Sequence, residues 1–284
     1  MRVLDGRPVA RAIRKEVAAG VEALLRERGL RACLAAVLVG NDPASEVYVA
    51  GKQRDCERVG ITSRLVRLPA DCTRERLRAT LDELSADPAV HGVLVQQPLP
   101  PQLDANEASA LVHPGKDVDG LTPIQAGRLL RGEPGFVPCT PLGVMEILRF
   151  YEIPVAGKHA VVVGRSTLVG RPVSLLLLHA NATVTICHSR TPDLGAMTRQ
   201  ADILVAATGK PGLIQPDMIR PGVAVIDVGI TRAAGDQLLG DVDPKVGEIA
   251  ELTPVPGGVG PMTRALLLRN TLEAARAWSS SGSR

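Results

Sequence analysis

The residues best suited to chemistry begin with Tyr48 and Lys52, in the run Tyr48-Val49-Ala50-Gly51-Lys52. Side chains four apart share one face of a helix. A phenol ring and an amine can therefore enter one cleft, the ring to stack on a flat ligand and the amine to move a proton. Far downstream lies a second feature, Gly164-Arg165-Ser166-Thr167-Leu168-Val169-Gly170. A short apolar strand runs into it and a helix follows, the arrangement that aims backbone N–H groups at phosphate oxygens. Its glycines are spaced G-x5-G rather than G-x-G-x-x-G. The order implies a substrate domain carrying a reactive lysine, followed by a nucleotide domain.

The next strand gives a preference between nucleotides. Where NAD is bound, a carboxylate at the end of this strand takes the ribose hydroxyls. Here the strand ends in Cys187-His188-Ser189-Arg190-Thr191, with no carboxylate. Ser189 and Arg190, with Arg165 and Ser166 from the first turn, suit a 2′-phosphate through charge-assisted bonds. The expected cofactor is NADP, held by Gly164, Arg165, Ser166, Ser189 and Arg190. Ile230, just past the strand 224–228, is expected to border the nicotinamide.

The elements that must hold these residues alternate. A helix over 8–28 ends at Gly29, and Cys33–Val39 (CLAAVLV) is a continuous apolar strand. Asp42 and Pro43 then offer a cap and a first-turn proline for the helix bearing Tyr48 and Lys52. Further strands are expected at 61–68 and 90–95, with a helix over 73–86 between them. A second series starts after Gly120: a helix over 141–151, strands at 160–163, 183–187, 203–206 and 224–228, and a last helix over 261–278. Apolar strands alternating with helices predict an α/β protein with parallel sheets. The expected architecture has two domains, an N-terminal α/β substrate domain and a Rossmann-like, doubly wound NADP-binding domain, with the active-site cleft between them. The expected boundaries are 1–118 plus 257–284 for the first domain and 119–256 for the second.

At 284 residues the chain can bury two sizeable cores. With aromatics at 2%, those cores must be packed with aliphatic side chains. A net charge of +3 is too balanced to suggest a nucleic-acid or membrane partner. Cysteines at 33, 56, 72, 139 and 187 form no C-x-x-C, and the histidines have no metal spacing, so no zinc site or disulfide framework is expected. Charged residues interrupt the N-terminal stretch, and no run of about 18 apolar residues occurs. A cytoplasmic protein with no metal is the expectation.

Six segments now converge in order: Ser45-Glu46-Val47-Tyr48-Val49 with Lys52; Val95-Gln96-Gln97-Pro98-Leu99-Pro100; Lys116-Asp117-Val118-Asp119-Gly120; Pro138-Cys139-Thr140-Pro141; Gly164-Arg165-Ser166 with Val169-Gly170-Arg171-Pro172; and Pro256-Gly257-Gly258-Val259-Gly260-Pro261-Met262-Thr263. Together they make the chain resemble the bifunctional methylenetetrahydrofolate dehydrogenase/methenyltetrahydrofolate cyclohydrolase family. It departs from the family's usual residues at Arg54, Gln97, Leu121-Thr122 and Thr167.

The resemblance implies two reactions in one-carbon metabolism: oxidation of 5,10-methylenetetrahydrofolate with NADP, then hydrolysis of the methenyl product to 10-formyltetrahydrofolate. It implies a homodimer. It implies Lys52 as the acid/base, since a lysine beside a cationic substrate in a dry cleft favours its neutral form. Gln96 orients Lys52, and Asp119 accepts hydrogen bonds from the pterin amide edge. The catalytic set is Lys52, Gln96 and Asp119. The substrate-binding set adds Tyr48, stacked on the aminobenzoyl ring, with Val95, Gln97 and the loop Pro256, Gly257, Gly258, Val259 and Gly260. Asp117 reads as a surface or capping residue, and Cys139 as a packed thiol without a basic partner. Two other classes stay open: a different two-domain dehydrogenase of shikimate dehydrogenase type, and a non-catalytic nucleotide sensor.

Overall fold

The structure, a computed structural model, describes residues 1–233, 235 and 237–281. The chain divides into two compact units. One is Arg11–Val137 with the C-terminal segment from Arg264; the other is Met1–Ala10 with Pro138–Thr263. The sequence-based partition differs in three stretches: residues 119–137 stay with the first unit, and residues 1–10 and 257–263 go with the second.

In the first unit, helix α1 (Gly6–Arg28) leads to β1 (Cys33–Val39), α2 (Pro43–Val59), β2 (Thr62–Leu68), α3 (Arg74–Ala86) and β3 (Gly92–Val95). Two short helices follow, α4 (Ala105–Ala110) and α5 (Pro123–Arg131). The strands form a parallel sheet in the order β2-β1-β3. Every residue of β1 is buried, as its apolar run requires for a central strand, whereas β2 at one edge mixes exposed and half-buried positions. Val39 pairs with Leu68, and Val37 with Val95, so all three strands end at one edge. Buried Val9, Ile13, Val17, Val21 and Leu24 give α1 an apolar stripe at helical spacing. A Cβ on Gly20 would lie 2.6 Å from Leu272 Cδ2, so glycine lets α1 approach the C-terminal helix, Gly260–Ser281.

The second unit runs through α6 (Cys139–Phe150), β4 (His159–Val163), α7 (Gly170–His179), β5 (Thr183–Cys187), α8 (Leu194–Thr198), β6 (Ile203–Ala206) and β7 (Ala224–Asp227). A two-stranded hairpin, β8 (Thr231–Arg232) with β9 (Leu238–Leu239), precedes β10 (Glu251–Leu252). The five-stranded sheet has the order β10-β7-β6-β4-β5, and all its pairs are parallel. That is a doubly wound α/β sheet, whose ligand side is the carboxyl end of its strands. The N-terminal segment belongs here because Leu4 N donates to Leu252 O at 2.9 Å and the Tyr151 hydroxyl donates to Asp5 O at 2.9 Å. No helix of the described residues is long and apolar enough to cross a membrane.

Candidate active site

Lys52 sits on α2, whose start and stop are both specified locally. Asp42 accepts from Ser45 N at 2.8 Å, Pro43 fills the first turn, and Gly60 closes the helix at φ 80. The helix buries Ser45, Val49, Gly51, Asp55, Cys56 and Val59, leaving Tyr48 exposed and Lys52 half-buried. Gln96 follows β3 directly, and its backbone N–H continues the ladder by donating to Val37 O at 2.9 Å. The two side chains meet at the carboxyl edge of the sheet. Lys52 Nζ donates to Gln96 Oε1 at 3.1 Å. On the other side of the same amide, Gln96 Nε2 donates to Gln97 O at 2.6 Å. That second bond decides which amide atom faces the lysine, because only the oxygen can accept from the lysine N–H. Ser45 Oγ also donates to Gln97 O, at 3.4 Å.

The segment 116–120 runs beside β3, with a parallel bridge between Val93 and Asp117. Gly92 makes this possible: a Cβ there would lie 2.8 Å from Val118. Lys116 has no exposed surface; its Nζ donates to Asp87 O at 2.7 Å and Leu84 O at 3.1 Å and lies 4.5 Å from the centre of the Trp278 ring. Asp117 is 3% exposed, so it is not a surface residue. It caps the next turn, accepting from Leu121 N at 3.1 Å and Thr122 N at 2.8 Å. Burial raises its carboxyl above the usual range despite those donors. Asp119 is different: half-buried, with no hydrogen bond or ion pair among the described residues. Asn270 Nδ2 steadies the segment through Val118 O at 2.8 Å. The first unit thus presents an exposed aromatic, an oriented amine and an unengaged carboxylate.

In the second unit the expected cofactor residues lie on two adjacent turns. Val163 pairs with Cys187, and Gly164 N donates to Cys187 O at 2.9 Å, so the turns after β4 and β5 share one edge. Gly164 has φ 128, and a Cβ there would lie 2.2 Å from Ala207 O. A Cβ on Gly170 would meet Gly164 O at the same distance. Both glycines are therefore required by the turn itself, whatever their spacing. Ser166 Oγ accepts from Val169 N at 3.2 Å and Gly170 N at 3.4 Å at the start of α7. The side chains of Arg165, Ser189 and Arg190 are exposed and make no hydrogen bond or ion pair among the described residues. Asp193, the first carboxylate after β5, is occupied as the cap of α8, accepting from Ala196 N at 2.8 Å.

A pair of carboxylates, Asp227 at the end of β7 and Asp241 shortly after β9, escaped the sequence reading. Asp227 accepts from Gly229 N at 2.9 Å and from Asp241 N and Val242 N at 3.0 Å. Asp241 accepts from Thr208 N at 2.5 Å and Gly209 N at 3.1 Å. Burial is the main reason the Asp227 carboxyl is pushed up to about 6, with the neighbouring Asp241 adding to it. The pair fixes Gly229 and hence the exposed Ile230 beside it. The glycines of the Pro256–Gly260 loop also have a packing reason. A Cβ on Gly258 would lie 2.7 Å from Thr253 Cβ, and Gly6 N donates to Gly257 O at 3.0 Å. A cleft of about 540 Å³, lined by Arg2, Asp227, Leu239, Asp243 and Thr253 among others, contains none of the expected cofactor residues. Among the described residues no group of three or more His, Cys, Asp or Glu could hold a metal ion.

Comparison with known proteins decides what this arrangement belongs to. Residues 4–119 match the catalytic-domain model of tetrahydrofolate dehydrogenase/cyclohydrolase, and residues 138–279 match its NAD(P)-binding-domain model. The chain belongs to the tetrahydrofolate dehydrogenase/cyclohydrolase family. A family relative, the bifunctional protein FolD of Bordetella petrii, is 52% identical over 276 residues, covering 96% of this chain and 94% of the relative. The crystal structure of the family's bifunctional enzyme from Campylobacter jejuni superposes with a TM-score of 0.95 at 45% identity, covering 98% of this chain and 99% of that one. The Trypanosoma brucei member, solved with NADP and an inhibitor, gives 0.91 at 40% identity, covering 99% and 98%.

Proposed function

We propose that this chain oxidises 5,10-methylenetetrahydrofolate with NADP and hydrolyses the methenyl product to 10-formyltetrahydrofolate. The observation that carries the reading is the Lys52–Gln96 contact at 3.1 Å, set at the carboxyl edge of the sheet within a chain of this family. The two turns after β4 and β5 suit NADP: their glycines leave room for close backbone approach, and Arg165, Ser189 and Arg190 have no competing partner among the described residues. Bound NADP supplies the two-electron acceptor for the first reaction.

The second reaction falls to the chain's own residues. Water adds to the cationic bridging carbon, and one of its protons goes to the amine of Lys52. The bond from that carbon to N5 then breaks, the hydroxyl becomes the formyl oxygen, and its proton passes to N5. Net, one proton is released to solvent. Gln96 holds the amine in one direction throughout, lowering the cost of misalignment. Asp119 takes the pterin amide edge, and Tyr48 covers the aminobenzoyl ring. Val95, Gln97 and the loop Pro256–Gly260 complete the folate contacts in this reading, and Ile230 borders the nicotinamide. The working form is a cytoplasmic homodimer.

The test supplies each substrate separately. The purified chain should form NADPH from 5,10-methylenetetrahydrofolate and NADP, and should consume methenyltetrahydrofolate with no nucleotide present. Turnover of neither would overturn the reading. Light scattering of the same sample tests the dimer.

A further inference from the structure

We infer that Arg264 is a positioning residue for Lys52, acting through a clamp on α2; the inference rests on the role proposed above for Lys52. Arg264 lies on the C-terminal helix, 213 positions from Gly51 in sequence. Its Nη2 donates to Gly51 O at 2.7 Å and lies 2.7 Å from Asp55 Oδ2. Gly51 and Asp55 are one helical turn apart on the same face. The clamp therefore brackets the peptide that carries Lys52, the residue immediately after Gly51.

Further observations give the clamp its physical content. Asp55 is 3% exposed, and a buried carboxylate needs a cation beside it. Its other neighbour, Arg58 at 3.6 Å, has a side chain 71% exposed and is the weaker partner. The contact between Nη2 and Asp55 Oδ2 is an ion pair without hydrogen-bond alignment, so the aligned bond of that nitrogen goes to Gly51 O. Finally, a Cβ at position 51 would come within 3.2 Å of Nη2 and 3.3 Å of Cζ, so the absence of a side chain there gives the guanidinium its place. The adjacent thiol plays no chemical part: burial first, and the Asp55 charge second, push Cys56 up to about 12.

A clamp of this kind sets the rotation and height of one helical turn. Lys52 reaches Gln96 from that turn, and small displacements of a proton-transfer group are costly. Arg264→Met should lower kcat for methenyltetrahydrofolate hydrolysis by about ten- to a hundredfold. KM for the folate and turnover in the NADP-dependent oxidation should change by less than about threefold. Arg264→Lys should recover part of the loss.

The double variant Asp55→Asn, Arg264→Met separates positioning from charge neutralisation. It removes the buried carboxylate's need for a cation, so hydrolysis should stay low if the bond to Gly51 O matters. Recovery to the wild-type rate would overturn the inference, as would parallel losses of both activities that track thermal stability. A readout independent of turnover is the NMR signal of 13C-dimethylated Lys52, which should shift in Arg264→Met. If the wild type fails to hydrolyse methenyltetrahydrofolate, the functional reading falls. An unmoved Lys52 signal would then overturn the clamp separately, and a shifted one would sustain it.

Discussion

Lys52 and Gln96 are joined by one hydrogen bond of 3.1 Å, and the far side of the same amide is locked to Gln97 O at 2.6 Å. The amine is thus held by an acceptor that cannot rotate away without losing its own donor bond. Gln96→Leu keeps the size and removes both bonds. Hydrogen bonds to charged groups contribute about 1.5–3 kcal/mol, so hydrolysis should fall about ten- to a hundredfold. Steady-state kinetics on methenyltetrahydrofolate checks this; a Gln96→Leu rate within twofold of wild type would remove the orienting role.

The nucleotide preference makes a second prediction. Arg165 is exposed and makes no hydrogen bond or ion pair among the described residues, which leaves it for a 2′-phosphate. Losing one charge-assisted bond costs about 1.5–3 kcal/mol, so Arg165→Ala should raise the NADP dissociation constant by at least about tenfold. NAD, which has no 2′-phosphate, should be affected far less. Equal weakening of both, measured by titration calorimetry, would contradict the assignment.

Asp227 predicts a pH dependence. Its carboxyl is pushed up to about 6, chiefly by burial, from an ordinary value of 3.8. Between those values the folded state binds more protons than the unfolded chain, so this group's contribution to stability falls as pH rises from about 4 to 6. At about 1.4 kcal/mol per pH unit, the change is of order 3 kcal/mol. Denaturant unfolding of wild type and Asp227→Asn should show a stability difference that moves against the wild type across this window. A difference that stays flat with pH would show that Asp227 titrates normally.

Much of the fold is legible in local signals, because local chemistry decides it. The run Cys33–Val39 is apolar throughout and becomes the fully buried central strand. Asp42, Pro43 and Gly60 bound α2 by capping alone. The helix α5 is harder to see: its start depends on Thr122 Oγ1 accepting from Gln125 N, and that turn is held by the buried Asp117. The contact-based division departs from the sequence-based one at the N-terminus because Leu4 and Leu252 meet only in three dimensions. The same reason hides the Arg264 clamp and the Asp227–Asp241 pair. Lys52 and Gln96 were recoverable because a family pattern, not spacing, links them.

Lys116 shows how one motif divides its labour. It shares a segment with Asp119, yet it is wholly buried and donates to two backbone oxygens. Lys116→Met would leave Leu84 O and Asp87 O without that donor, at a cost of about 1–3 kcal/mol. Thermal unfolding should show a lower Tm, while the kcat of the folded fraction stays close to wild type. An unchanged Tm would count against the structural role.

The most direct test of the account follows both products of Lys52→Met in one progress curve, with 5,10-methylenetetrahydrofolate and NADP supplied together. General acid–base groups contribute about a hundredfold or more, so NADPH should form while the methenyl compound accumulates and 10-formyltetrahydrofolate lags by at least that factor. Circular dichroism should match the wild type. If Lys52→Met instead converts methenyltetrahydrofolate at the wild-type rate, Lys52 does not carry the proton and the mechanism proposed here is wrong.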